Sequence, residues 1–316
     1  MPFIDFMTVT LSTGGLYTLL ALCFAFVWWS SRTFFITAAG ILVLAGSMVF
    51  HLVFNLSWNP VGASVLAIGI CSTLGVLLEV MVFGPISRKA SLASGARSGV
   101  SEDAILGGAI ISFALYFVLI NIVQWWIGSE TDSVTLRTQG MSQYSQVSIF
   151  GLHLPLRTNT IGLWQLMASW GLSLGLALLL QSRIGLSLRA LKSNPQLFNQ
   201  ITGRGTWFRI MAMMFCCITA SLAGIVTVFT SRLDMSGGLT IVLGAMVVMI
   251  LATQRRSLGL LPIIAIIFAG MGAFLQGHGY SFWVEPIVLL ILLLALVVNP
   301  KHLISEIKRV EESPEA

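Results

Sequence analysis

The chain has 316 residues, of which 56% are hydrophobic and 9% are charged. Soluble domains carry about 25% charged residues, so this composition excludes a soluble globular protein and predicts a polytopic membrane protein. The formal net charge of +5 does not indicate a nucleic-acid partner, because the basic residues lie at the ends of apolar runs, where they set membrane topology.

Apolar runs recur along the chain and predict an all-α membrane domain with eight or nine transmembrane helices. Most runs approach the roughly 20 residues that cross about 30 Å of hydrocarbon. The run 239–252 is shorter and predicts a helix that is tilted, re-entrant or broken. The nine predicted segments are 11–29, 34–54, 61–84, 104–127, 161–181, 207–230, 239–252, 258–275 and 282–298.

The basic residues are concentrated in every second loop. If the 182–206 loop is cytoplasmic and the helices alternate, three of the 17 Lys and Arg residues face outside: Arg137, Arg157 and Arg232. This bias predicts an external N-terminus and a cytoplasmic C-terminus in a bacterial inner membrane. The first run lacks a basic leader and ends in Trp28 and Trp29, so we expect a retained helix rather than a cleaved signal peptide.

Residues 1–303 are predicted to form one transmembrane domain, followed by a charged cytoplasmic tail at 304–316. The polar segment 128–160 is the one long external loop of this topology. Its length exceeds what a tight connection needs, and it is either a docking platform for an external partner or a solvated loop.

The 182–206 loop carries helix signals of its own. Asn194 is a good N-cap, and Pro195 fits the first helical position. Gly203 is suited to end the helix. This short amphipathic helix is either a surface that docks a partner or a solvated loop at the lipid surface. Its apolar residues share one face: Leu197, Phe198 and Ile201.

No catalytic constellation stands out in the sequence. There is no HExxH and no Gly-Lys dipeptide, so a phosphate-binding loop with its lysine is absent. We expect that the protein is not an enzyme, does not hydrolyse ATP by itself, and needs no cofactor or metal. The four cysteines lie in apolar runs and are expected to be packing residues: Cys23, Cys71, Cys216 and Cys217.

Ionisable residues are scarce within the predicted helices. Glu79 lies near the inner end of the third segment, and His51 lies near the outer end of the second. An ion-coupled carrier needs ionisable groups near the membrane midplane, so this pattern argues against ion coupling. We expect Glu79 to be paired near the inner interface, with Arg88 or Lys89.

Two amides on the fourth segment are the candidates for a solute pathway. Asn121 and Gln124 lie in its outer half and would suit a path for a polar solute. The many glycines, serines and threonines of the other segments are better explained by close helix packing.

The 182–206 loop resembles the cytoplasmic loop of ABC-transporter permeases of the branched-chain amino acid type. The similarity is carried by Arg183-x-Gly185, Arg189-Ala190, Asn194-Pro195 and Gly203. It extends over roughly residues 11–303. Further matches are Leu11–Leu22 in the first helix, Glu79 with Arg88-Lys89, Ala220–Gly224, and Asn299-Pro300 at the end of the last helix.

This resemblance implies an ABC-importer permease fold and a set of partners. The short helix would dock into a groove on an ATPase subunit, with Leu197, Phe198 and Ile201 as apolar contacts and Arg189 and Lys192 as a polar rim. The implied partners are ATP-binding cassette subunits, a second homologous or identical permease, and a periplasmic or lipid-anchored binding protein. The implied solute is a branched-chain amino acid or a similar small polar solute, such as an amide or urea.

Two other functions are compatible with a helical membrane protein. An ion-coupled secondary carrier would need a midplane ionisable group and often shows inverted repeats, and the sequence displays neither. A non-transporting membrane assembly protein would explain the helices but not the capped helix of the 182–206 loop.

Overall fold

The computed structural model describes most of the chain. The described residues are mainly helical and include four two-residue strands. The described residues are 3–31, 33–85, 102–127, 133–134, 148–149, 152–153, 160–193, 198, 202–203, 205–230, 233–234, 237–254, 258–280, 283–284, 286–288 and 290–291.

Nine α-helices follow one another along this part of the chain. A five-residue π-helix, Glu79–Phe83, continues α3, and a 3-10 turn, Leu258–Leu260, precedes α9. The α-helices are α1 Phe3–Ser31, α2 Thr37–Phe54, α3 Pro60–Leu78, α4 Glu102–Ile127, α5 Thr160–Gln181, α6 Arg183–Ser193, α7 Gly205–Thr230, α8 Gly237–Gln254 and α9 Leu261–Gly277.

The strands form two short antiparallel ladders. β1 (Ser133–Val134) pairs with β4 (Leu233–Asp234), and β2 (Ser148–Ile149) pairs with β3 (Leu152–His153). The first ladder ties the segment after α4 to the connection between α7 and α8.

Five of the described helices are long and apolar enough to cross a membrane: α1, α2, α3 with its π-helix, α4 and α7. Shorter apolar stretches occur in α5, α8 and α9. These helices fit a membrane protein, as the composition predicts. The first eight predicted segments each coincide with a helix, whereas the ninth, 282–298, lies largely outside the described residues.

The seventh segment extends further than predicted but remains one of the shorter apolar helices. It forms one continuous helix of 18 residues, α8, whose apolar part is Gly237–Thr253. The helix starts two residues before the predicted run, and Gly237 and Gly238 form part of its first turn. Gly238 lies so close to α2 that an added Cβ would approach the carbonyl oxygen of Ala39 within 3.3 Å.

Helix α1 lies at the centre of the bundle and contacts α5, α7, α8 and α9. Helix α2 is also mostly buried and contacts α3, α4 and α7. Helices α3 and α4 instead expose large apolar side chains, such as Val61 and Ile110. Exposed apolar area of this extent is unfavourable in water and is the expected exterior of a membrane protein.

Helix α7 packs against α2 and α3 at two glycines. A Cβ at Gly224 would overlap the carbonyl oxygen of Leu42 and lie 2.8 Å from its carbonyl carbon. A Cβ at Gly75 would lie 2.5 Å from the sulfur of Cys217. Small residues therefore allow these backbones to approach more closely than ordinary side chains permit.

We expect the substitution Gly224→Ala to destabilise the protein, because the new methyl group meets backbone that has no rotamer to change. Overpacking of this kind typically costs about 1–3 kcal/mol. The apparent Tm of the purified protein in detergent should fall. The control is Gly175→Ala on α5, where a Cβ has no neighbour within 4 Å. Equal Tm values for the two variants would contradict the packing argument.

Candidate functional site

The connection between α5 and α7 begins with an amphipathic helix, α6, that was not predicted. Its Leu188 and Leu191 are buried, with 2% and 3% of their surface exposed, whereas Leu186 is 68% exposed. Helix α6 packs against α1. The three-residue spacing of Leu188 and Leu191 was the available sequence signal, and the stronger capping residues further along the loop obscured it.

Phe198 anchors the later part of this connection. It is half-buried, and its ring meets that of Phe208 on α7 edge to face, with centroids 5.6 Å apart. The hydroxyl of Thr202 donates a hydrogen bond of 2.6 Å to the carbonyl oxygen of Phe198, as in one turn of helix. Gly203 follows with φ +62°, the left-handed conformation that ends many helices.

The other residues predicted for partner docking are placed only in part. Ala190 is exposed on α6, and Arg189 belongs to the same helix rather than to the later one. The side chains of Arg189 and Lys192 lie outside the described residues. So do four residues of the predicted short helix and its cap: Asn194, Pro195, Leu197 and Ile201.

A buried ion pair joins the end of α3 to the start of α7. Glu79 is 1% exposed, and its Oε1 lies 2.9 Å from Nη2 of Arg209, whose side chain is 18% exposed. The expected partners, Arg88 and Lys89, lie outside the described residues. The sequence analysis did not predict Arg209 as the partner, because the order of the helices along the chain does not show which helices are neighbours. The antiparallel packing of α3 on α7 brings Glu79 and Arg209 together.

The π-helix positions Glu79 and closes the end of α3. The N–H of Gly84 donates to the carbonyl oxygen of Glu79, and a Cβ at Gly84 would lie 2.8 Å from that oxygen. Phe83 is buried, and its ring packs edge to face on Phe35, just before α2, at 5.8 Å between centroids. The Glu79 turn is thereby attached to both α7 and the start of α2.

Asn121 and Gln124 are both exposed on α4. The amide Nδ2 of Asn121 donates 2.8 Å to the carbonyl oxygen of Phe117, within its own helix. Asn121 lies in a shallow surface depression with Phe117, Val118, Ile122 and Trp125. These amides therefore face outward rather than between the helices of this chain.

The four cysteines are buried and free. The hydroxyl of Thr219 on α7 lies 2.9 Å from the sulfur of Cys23 on α1. Within the described ranges, no cluster of three or more His, Cys, Asp or Glu side chains is arranged to hold a metal ion. Burial among apolar neighbours is consistent with the packing role predicted for these thiols.

No protein-family model, curated protein or solved structure matches the chain. Its class is thus defined by its own architecture, a helical protein with five described helices able to cross a membrane. The candidate functional site is the α5–α7 connection together with the Glu79–Arg209 pair beside it.

The contact between Phe198 and Phe208 makes a testable contribution to the order of this connection. An aromatic pair of this geometry is worth about 1 kcal/mol, or roughly fivefold in an opening equilibrium. Phe208→Ala should therefore speed tryptic cleavage within 183–204 by about fivefold. Thr206→Ala, at an exposed neighbouring position, is the control. Equal cleavage rates for both variants would show that the ring contact does not hold the connection.

Proposed function

We propose that this chain is the permease subunit of an ATP-driven ABC importer in a bacterial inner membrane. The permease supplies an alternating path for a small polar solute, and separate ATPase subunits hydrolyse ATP. The observation that carries the proposal is the α5–α7 connection, in which an anchored amphipathic helix is followed by the half-buried Phe198.

The structure of the α5–α7 connection is more typical of a docking surface than of a solvated loop. Leu188 and Leu191 fasten α6 to the bundle, while Leu186 and Ala190 on the same helix face away from it. A partner groove binds such an exposed apolar face most tightly when the helix is already ordered. Phe198, further along the connection, contacts Phe208 in the first turn of α7, so that a push on the connection would reach this helix.

A second permease, homologous or identical, fits the outward position of Asn121 and Gln124. One N–H of the Asn121 amide is bonded within its own helix, but the other hydrogen-bonding groups of the two amides would lack polar partners in lipid, whereas a facing subunit can supply them. The proposed solute path runs between the two permeases, past these amides. A periplasmic or lipid-anchored binding protein delivers the solute, which is a branched-chain amino acid or another small amide or urea.

The ion-coupled carrier is the second candidate because Glu79 is a buried carboxylate in a membrane-spanning helix. Its position at the end of α3, beside Arg209, is more typical of a fixed ion pair than of a proton site at the midplane. Uptake that persists without ATP and collapses with the proton gradient would favour the carrier. Uptake that is unaffected by deleting the gene would favour a non-transporting assembly protein.

We expect Phe198→Asp or Leu197→Asp to abolish ATP-driven uptake of radiolabelled leucine while the protein still inserts, because a charge disrupts an apolar docking contact. The measurement is uptake by cells, together with co-purification of the ATPase subunit. Leu56→Asp is the matched control, since it adds the same charge at an exposed apolar position in the α2–α3 connection.

Normal uptake in the Phe198→Asp variant or in the Leu197→Asp variant would reject the docking proposal. The orientation is checked with single cysteines in 193–201. Labelling of these cysteines only by a reagent added outside the cell would reverse the assigned topology.

We also expect the purified permease alone to bind leucine weakly, because the described helices present few charged groups to hold a zwitterion. Isothermal titration should detect binding to the partner binding protein and little to the permease. Tight binding to the isolated permease would contradict a path without its own high-affinity site.

A further inference from the structure

Two contacts on consecutive residues of α7 connect the proposed docking surface to α3. Phe208 holds the ring of Phe198, and Arg209 holds the carboxylate of Glu79. Phe83, four residues beyond Glu79, then packs on Phe35 at the start of α2. Direct side-chain contacts therefore join the α5–α7 connection to α7, and α7 to α3.

The ion pair is a costly way to hold two helices together. Burying two charges requires their desolvation, and well-packed apolar residues often do as well. In addition, the second carboxylate oxygen of Glu79, Oε2, is buried and accepts no hydrogen bond from the described residues. Such a pair is weak evidence for a contribution to stability, but removing one partner from a buried pair is strongly destabilising.

The backbone around Glu79 is suited to movement. A π-turn has a wider, less favourable hydrogen-bond pattern than an α-turn, and such turns frequently occur at functional sites. Here it covers Glu79–Phe83 and is bounded by Gly84. The π-turn therefore marks the end of α3 as a place where a functional role is more common than in a regular helix.

We propose that Glu79 and Arg209 are positioning residues that make the end of α3 follow the start of α7 when the α5–α7 connection is displaced. This inference rests on the proposed function, because it identifies how a push at the docking surface reaches the rest of the bundle. The pair acts as a link because separating the two helix ends would leave the Glu79 carboxylate buried without the Arg209 guanidinium, which is strongly unfavourable.

The link is tested by hydrogen exchange and mass spectrometry on the full chain in lipid nanodiscs. Phe198→Asp serves as the perturbation of the connection. In the otherwise native chain, this variant should speed exchange about threefold or more both in 205–210 of α7 and in 79–85 of α3. The experiment needs neither ATPase nor solute.

The double variant Glu79→Gln/Arg209→Met removes the pair without leaving an uncompensated charge. In this background Phe198→Asp should still speed exchange in 205–210, but the response in 79–85 should disappear. Cys217→Ala is the matched control, because it loosens the same α3–α7 interface at Gly75 and leaves the pair intact. The response in 79–85 should persist in that control.

A response in 79–85 that survives loss of the pair, or that is missing from the native background, would overturn the link. If the double variant does not fold, Glu79→Gln, which removes the buried charge, replaces it in the same comparison. Loss of the response in Cys217→Ala would also overturn the proposal, because the response would then reflect general packing.

A second measurement separates this inference from the proposed function. In proteoliposomes with the co-purified ATPase, Glu79→Gln should leave ATPase docking intact and lower the amount of leucine moved per ATP hydrolysed. If Glu79 had a merely structural role, the variant would lower leucine uptake and ATP hydrolysis together, and that result would reject the positioning role. If no ATPase co-purifies with the native chain, the proposed function fails, while the exchange experiment still decides whether the two helices are linked.

Discussion

Helix α7 is the element on which the arrangement of the bundle depends, because it contacts α1, α2 and α3 at once. Its backbone touches α2 at Gly224, its Cys217 fills the space beside Gly75 of α3, and its Thr219 meets Cys23 of α1. In lipid, helix association depends on such close packing and on hydrogen bonds, since apolar burial offers little gain there. Helix α7 therefore makes close contacts of this kind with three neighbours at once.

This dependence gives the proposed docking surface its mechanical significance. The α5–α7 connection enters the bundle at the first turn of α7, where Phe208 and Arg209 hold Phe198 and Glu79. A partner that binds the connection acts on a helix that packs against α1, α2 and α3. The chain is proposed to contribute no chemistry of its own, so the work must come from a partner and must pass through contacts of this kind.

The outward faces of α3 and α4 have a different role. They carry large apolar side chains, which suits contact with lipid or with another membrane protein. Asn121 and Gln124 interrupt the apolar face of α4 near its C-terminal end. The solute path is accordingly proposed between subunits, whereas the interior of this chain is filled by small, closely packed residues such as Ala39, Ala220 and Gly224.

The sequence by itself determined the membrane class and the approximate positions of eight helices, because continuous apolar runs leave the backbone no alternative to a helix in lipid. Only the tertiary structure decided which helices are neighbours. It revealed α6, the π-helix at Glu79–Phe83 and the pairing of Glu79 with Arg209, residues far apart in the chain. A run of apolar residues specifies that a segment is buried or faces lipid, but the partner of each face depends on side-chain shape across the interface, which loop order does not encode.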